Sequence, residues 1–416
     1  MSCQKIKLVT RDDSVTEIER RAAERSVLIK NLLADLEFGP DEVVPAIPIP
    51  NVSLGVLRKV VEWCEHHQDD EDPATEPSSE VIFHSKYVEC SDWDRQFMEV
   101  DLDMLLSIIL ASNYLDIKPL LVLGYNAVAN KIRGRSLEDI DAILNNRSSA
   151  LPCSEAPGSS VDSQKSENLP YTSTFHPTPQ TAFGVRELLA HRLPPELAIP
   201  IVTLGYSPWL VKRRVEEQSY RADDFSSPSD PSVAGLYLST EPIPLGIGKV
   251  IPQRVIFQTR AADQGWATFG GDGTFHNSHT WFEASILQPS SDRVEDEVRA
   301  AALEHDGDLS EPWEDAGSAT QALRDKGWEF VRGQDGQITW RVCNSITARS
   351  KYKNYRVEWR RGLDTEVEDE RATGKGEGFL ELLQPGFAIV LWARAEQRAW
   401  INRVAAASIE IEYELL

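Results

Sequence analysis

The chain has 416 residues, enough for roughly two or three domains, and a hydrophobic content of 41% that supplies ordinary packed cores and excludes a wholly disordered protein. A net charge of −23 argues against an interface with a nucleic-acid backbone or an anionic membrane surface, and points to a soluble protein that prefers a basic partner. Cys3, Cys64, Cys90, Cys153 and Cys343 are scattered and form no Cys-x-x-Cys pair, which is neither a disulfide framework nor a zinc-finger pattern.

The opening MSCQKIKLVTRDD lacks the apolar core of a signal peptide, and no run approaches the ~18 apolar residues of a membrane span, so the expected location is the cytoplasm or nucleus. Ile6, Leu8 and Thr10 alternate as in a short strand. The next segment, AERSVLIKNLL, reads as a helix with Val27, Leu28 and Leu32 on one side. Pro45, Pro48 and Pro50 force an extended segment over 44–52. Ser53 is a suitable N-cap, and Leu57, Val60, Val61 and Cys64 recur at helical spacing behind it. The acidic stretch 69–80 reads as a disordered loop. Leu102, Leu105, Leu106 and Ile109 form a further amphipathic helix, and Pro119 starts another that carries Leu121, Gly124, Tyr125 and Val128. One strand followed by several short packed helices is an α+β layout for residues 1–145.

The order of the phrases carries more information than their periodicity. AERSVLIKN, then IPIPNVSLGVLRKVVEWCEHH (Ile47–His67), then DWDRQFMEVDLDMLLSIILASNYLDIKPLL (Asp92–Leu121), then VANKIRGRSLEDI (Val128–Ile140) closely resembles the Skp family of adaptor subunits of SCF ubiquitin ligases. The resemblance implies a BTB/POZ-like fold and no catalytic residue. It also implies a cullin as partner, contacted by Asn113 and Tyr114 of the phrase ASNYLDIKPLL. Residue chemistry allows two readings of Tyr114: an interface anchor, or a half-buried core aromatic at a helix end.

Three departures from the family stand out. Val81, Ile82, Phe83 and Tyr87 make an apolar run where the family continues its polar loop. Val122–Val128 drifts from the family's helix. After Ile140 the family's acidic tail, which holds the F-box, is replaced by DAILNNRSSALPCSEAPGSS. Binding of a separate F-box protein is therefore expected to be weak. Residues 146–180 are rich in Ser, Pro and small polar residues and read as a disordered linker.

Residues 181–416 form the second domain. Leu193-Pro194-Pro195-Glu196-Leu197, within an opening segment 188–204, resembles the start of an F-box, although Pro at a first helical turn also opens many unrelated helices. A flexible linker would let this segment reach an F-box-docking edge around Leu121, Tyr125 and Val128; otherwise the two domains are independent. Seven runs rich in β-branched and aromatic residues follow, from AGLYLST to ASIEIEYEL, with a long loop over 289–325. They predict an all-β domain of β-sandwich or jelly-roll type. In the last run Ile409, Ile411 and Tyr413 alternate with Glu410, Glu412 and Glu414, as in a strand with one wet face. The phrases Asp263–Trp266, Thr274–Glu283 and Trp392–Ala395 resemble a class of uncharacterised fungal proteins and imply a fold more than a function.

Two histidines without cysteine partners are no zinc signature, and neither the Gly246–Gly248 nor the Gly374–Gly378 cluster has phosphate-loop spacing, so no metal, cofactor or enzymatic activity is expected. Asp263, Trp266, His276 and His279 are the candidates for a carbohydrate or peptide site. The functional expectation is a non-enzymatic adaptor linking a cullin to a substrate receptor, either an F-box protein or the chain's own F-box-like segment. The alternatives are a ligand-binding β-domain with a vestigial adaptor, or two proteins joined by gene prediction.

Overall fold

A computed structural model describes residues 4–35, 44–70, 90–145, 169, 175–224, 231–246, 248–267, 270–290, 309, 311–363, 365 and 369–415. The expected acidic loop beyond residue 70, the apolar run up to residue 89, most of the 146–180 linker and residues 291–308 of the expected long loop lie outside the described residues. Contacts divide the chain into two compact units, one within 1–156 and 180–207, the other within 157–179 and 208–416. The sequence boundary at residue 181 put the F-box-like segment with the β-rich part, whereas these contacts group 180–207 with the first unit.

In the first unit β1 (Lys5–Thr10) pairs antiparallel with β2 (Val15–Glu19), and β3 (Ile47–Ile49) lies parallel to β1 on its other side. Ile6, Leu8 and Thr10 point inward as their alternation requires. A short α1 (Arg20–Ala23) is followed by α2 (Val27–Asp35). The helix is where the sequence places it, but its buried side is not the one carrying Val27, Leu28 and Leu32. Ile29 and Leu33 face the core, while Val27 and Leu28 are 38% and 40% exposed. The phase is set by buried Ser26, whose hydroxyl donates to the Leu115 carbonyl and accepts from the Ile29 amide. That pairing anchors the first turn and fixes which residues follow inward.

Next come α3 (Leu54–His66) and α4 (Asp92–Phe97), then α5 (Leu102–Tyr114), α6 (Lys118–Ile132) and α7 (Leu137–Leu144). Ser53 occupies the N-cap of α3 in extended geometry but makes no side-chain cap bond, whereas Asp101 and Ser136 cap α5 and α7 by accepting from Met104 and Asp139 amides. Helices α5 and α6 approach closely at Gly124, where a Cβ would sit 2.8 Å from Ile109 Cγ1. The unit ends with α8 (Pro179–Ala190) and α9 (Pro195–Tyr206). Leu193–Pro194 forms the break between them, Pro195 opens α9, and Pro200 is tolerated inside it.

The second unit is antiparallel and β-rich, and all seven expected runs lie on its strands. Before them come β4 (Trp209–Arg214) and β5 (Gln218–Arg221). The longer strands are β6 (Ser232–Ser239), β7 (Val250–Ala262) and β8 (Thr280–Pro289). After the short α10 (Thr320–Asp325) come β9 (Trp328–Phe330), β10 (Trp340–Asn344) and β11 (Lys353–Arg360). A short α11 (Phe379–Leu382) precedes β12 (Ala388–Glu396) and β13 (Ile401–Leu415). One five-stranded sheet runs β10-β8-β12-β6 with β9 added on β8, and the other runs β11-β7-β13-β4 with β5 added on β13.

The end of the expected long loop is not loop. Trp313 exchanges backbone hydrogen bonds with Ala234, and Leu309, Ala319, Leu323 and Trp328 pack with Leu236, Val390 and Trp392 in one buried cluster. The wet-face reading of β13 is also corrected. Glu410, Glu412 and Glu414 are as buried as Ile409, Ile411 and Tyr413. β13 is an interior strand, and its carboxylates are satisfied by Gln258 (2.8 Å), Arg254 (2.7 Å) and Gln253 (3.1 Å) of β7. Alternating Ile and Glu therefore mark an apolar and a charge-paired face, and neither is solvated.

Glu358 of β11 belongs to the same charged face. Burial pushes its carboxyl up, but Arg254, Arg356 and Arg360 outweigh burial and hold it at about 2. A folded-state value below the ordinary 4.5 gives stability that is present above pH 4.5 and lost as pH falls towards 2. In urea titrations across that range the Glu358→Gln chain is expected to lose stability less steeply than the wild type. Identical slopes would contradict the assignment.

Candidate functional site

Helix α5 places one candidate surface. Ser107, Leu110, Ala111 and Tyr114 recur at i, i+3, i+4 and i+7, so they share one stripe. Ser107, Leu110 and Ala111 of this stripe wall a cavity of about 570 Å³ that Arg11, Asn51 and Val56 complete; Tyr114 lies outside its lining. Leu110 is 41% exposed, Asn113 is exposed and Tyr114 half-buried at the helix end. The chain then reverses sharply: Asp116 takes φ 52° and the Ile117 amide returns to the Ser112 carbonyl at 2.8 Å. The reversal ends α5 at Asn113, which is exposed, and Tyr114, which is half-buried.

A second surface is formed by α6 and α7. Leu121 is half-buried, and Tyr125 and Val128 are buried. Burial, with the Glu196 carboxylate of α9 adding to it, pushes the Tyr125 phenol up to about 12, so it stays a neutral donor. Helix α9 packs along α6, with Gly205 so close to Ala129 that a Cβ there would lie 3.1 Å from the Ala129 carbonyl. The Tyr206 hydroxyl meets the carbonyls of Ile132 (2.8 Å) and Arg135 (2.5 Å), and the Arg133 guanidinium donates to the Leu204 carbonyl (2.9 Å). The sequence reading missed Gly205, Tyr206, Arg133 and Arg192. The only local signal was the Gly-Tyr pair closing an apolar helix.

The family scan matches residues 4–69 to the tetramerisation domain of the Skp1 family. The chain is 51% identical over 141 residues to Suppressor of kinetochore protein 1 of Schizosaccharomyces pombe, covering 34% of this chain and 84% of that protein. The chain belongs to the Skp1 family. It is also 48% identical over 148 residues to the E3 ubiquitin ligase complex SCF subunit sconC of Arthroderma benhamiae, and 44% identical over 147 residues to the sconC subunit of Talaromyces marneffei; 87% and 88% of those proteins are covered. The first unit of this Skp1-family chain is accordingly POZ-like.

Of the four residues suggested as a ligand site, Asp263, His276 and His279 make local hydrogen bonds, while the Trp266 side chain is exposed. Asp263 is fully buried and accepts from the amides of Gly265 (2.7 Å) and Ala348 (2.6 Å). Burial raises its carboxyl, and those amide bonds act against the rise. His276 is exposed, and its carbonyl accepts from Thr347 Oγ1 at 2.8 Å. His279 Nδ1 lies 3.1 Å from Glu396, with its ring edge-on to Trp400, while Trp266 is 50% exposed. Among the described residues no group of three or more His, Cys, Asp or Glu is placed to hold a metal ion, and no helix is long and apolar enough to cross a membrane.

Proposed function

We propose that this Skp1-family chain acts as the adaptor of an SCF-type ubiquitin ligase, joining a cullin to a substrate receptor. The observation that carries this reading is the match over more than four-fifths of relatives whose names place them in SCF ligases. The Asn113–Tyr114 corner at the end of α5, with Leu110 one turn before it lining the cavity, is the cullin contact. A tyrosine offers a large apolar face and a hydroxyl, and such residues anchor many interfaces. In gel filtration the full chain is expected to co-elute with the N-terminal region of a cullin as one complex. Separate elution at micromolar concentrations would contradict the adaptor role.

The β-rich unit is the receptor side of this reading, and a sandwich is its architecture. Phe257 of one sheet packs edge-on against Trp359 and Phe379, and Trp340 of the other sheet packs on the same Phe379. Asn402 of β13 reaches across to the carbonyls of Trp281 and Arg394 at 3.0 and 3.1 Å. A cavity of about 590 Å³ lined by Arg360, Leu363, Lys375, Gly376, Glu377 and Glu381 falls within the usual size of ligand sites and is where substrate contact is sought first.

A further inference from the structure

We infer that α8 and α9 fill, from within the same chain, the surface on which an SCF adaptor receives an F-box protein, so that the chain is closed to F-box proteins supplied in trans. The inference rests on the adaptor role proposed above. Tyr125, Ala129 and Ile132 recur at i, i+4 and i+7 along α6, and Gly205 of α9 seats on the middle of that stripe. The last carbonyls of a helix have no partner within it. Here they are satisfied reciprocally: Tyr206 from α9 covers the end of α6, and Arg133 just beyond α6 covers the end of α9. The turn between α8 and α9 repeats the device, because Arg192 donates to the Leu144 carbonyl at the end of α7 and pairs with Asp103 in the first turn of α5.

Mutual capping at three helix ends is the geometry of a built interface. Glycine at 205 and at 184, where a Cβ would lie 2.9 Å from Leu137 Cδ1, permits the close approach. Leu197, Ile201 and Leu204 are buried in α9, so this segment carries the apolar surface that an F-box helix would otherwise bring. A tethered segment acts at an effective concentration on the order of millimolar, against roughly micromolar for a free protein. A partner in trans with equal intrinsic affinity is thus at about a thousandfold disadvantage.

The test is a cross-link in the full chain carrying Ala129→Cys and Gly205→Cys. The two Cβ positions lie 3.3 Å apart, near the ~3.5–4.5 Å of disulfides. Mild oxidation is expected to give a cross-link within one chain. The oxidised and reduced forms should bind the cullin N-terminal region equally, and both should bind a synthetic F-box peptide at least tenfold more weakly than the fission-yeast relative does. No cross-link, a cross-link between two chains, or F-box affinity equal to the relative's would overturn the inference. Loss of cullin binding in both forms would instead sink the adaptor role and leave the docking of α9 intact. If the double variant does not fold, Tyr206→Phe serves: amide exchange over 195–206 should accelerate severalfold, and unchanged exchange overturns the inference.

Discussion

Replacing Asn113 and Tyr114 together by alanine is expected to weaken cullin binding by about 1–3 kcal/mol, a loss of roughly tenfold to a hundredfold, the scale of a hot-spot truncation. Both side chains stand at the end of α5, Asn113 exposed and Tyr114 half-buried, so they are available to a partner without unfolding. The fold should tolerate the change, because the core of that helix is made by Leu105, Leu106, Ile108 and Ile109. Calorimetry with the cullin N-terminal region reads the affinity, and circular dichroism on the same sample checks folding. Unchanged affinity in a folded double variant would remove this corner from the interface.

The second large effect is on stability. Arg254 of β7 lies 2.7 Å from Glu412 and 3.1 Å from Glu358, and its guanidinium stacks 4.7 Å over Trp209. Glu412 is fully buried. Arg254→Ala deletes the central cation of this face and breaks its buried pair with Glu412, a change that costs about 3–5 kcal/mol. For a unit of this size that lowers the thermal midpoint by roughly 10 °C. Cullin affinity should not change, since the cullin contact proposed at Asn113 and Tyr114 belongs to the other unit. Scanning calorimetry would show the drop, and a shift within about 0.5 kcal/mol of zero, ordinary for a surface site, would contradict the buried network.

The strands were legible wherever β-branched and aromatic residues ran together, and AGLYLST, RVIFQTR and GFAIVLWARA all lie in strands. The solvent side of β13 was not legible. Alternation of Ile with Glu has the same period whether the glutamates meet water or the arginine and glutamines of a neighbouring strand, and only the side chains that β7 brings beside them decide. Helix α2 was legible as a helix, but its core-facing side was not, for a related reason. Val27, Leu28 and Leu32 make as good a stripe as Ile29 and Leu33, and the choice between them is made by a long-range bond from Ser26 to Leu115. The membership in the Skp1 family was legible in an ordered string of phrases, which is more specific than any periodicity, and the proposed contact at Asn113 and Tyr114 rests on it. The docking of α9 was visible only as a possibility in Leu-Pro-Pro-Glu-Leu, because the glycine and the two capping residues that fit it to α6 carry no signature of their own.

As proposed, the chain engages a cullin while its F-box surface is occupied from within. Native mass spectrometry of the wild-type chain mixed with a cullin N-terminal region and an excess of F-box peptide tests both halves at once. The expected result is a one-to-one complex of chain and cullin that contains no peptide. A ternary complex that includes the peptide, or no cullin complex at all, would contradict it.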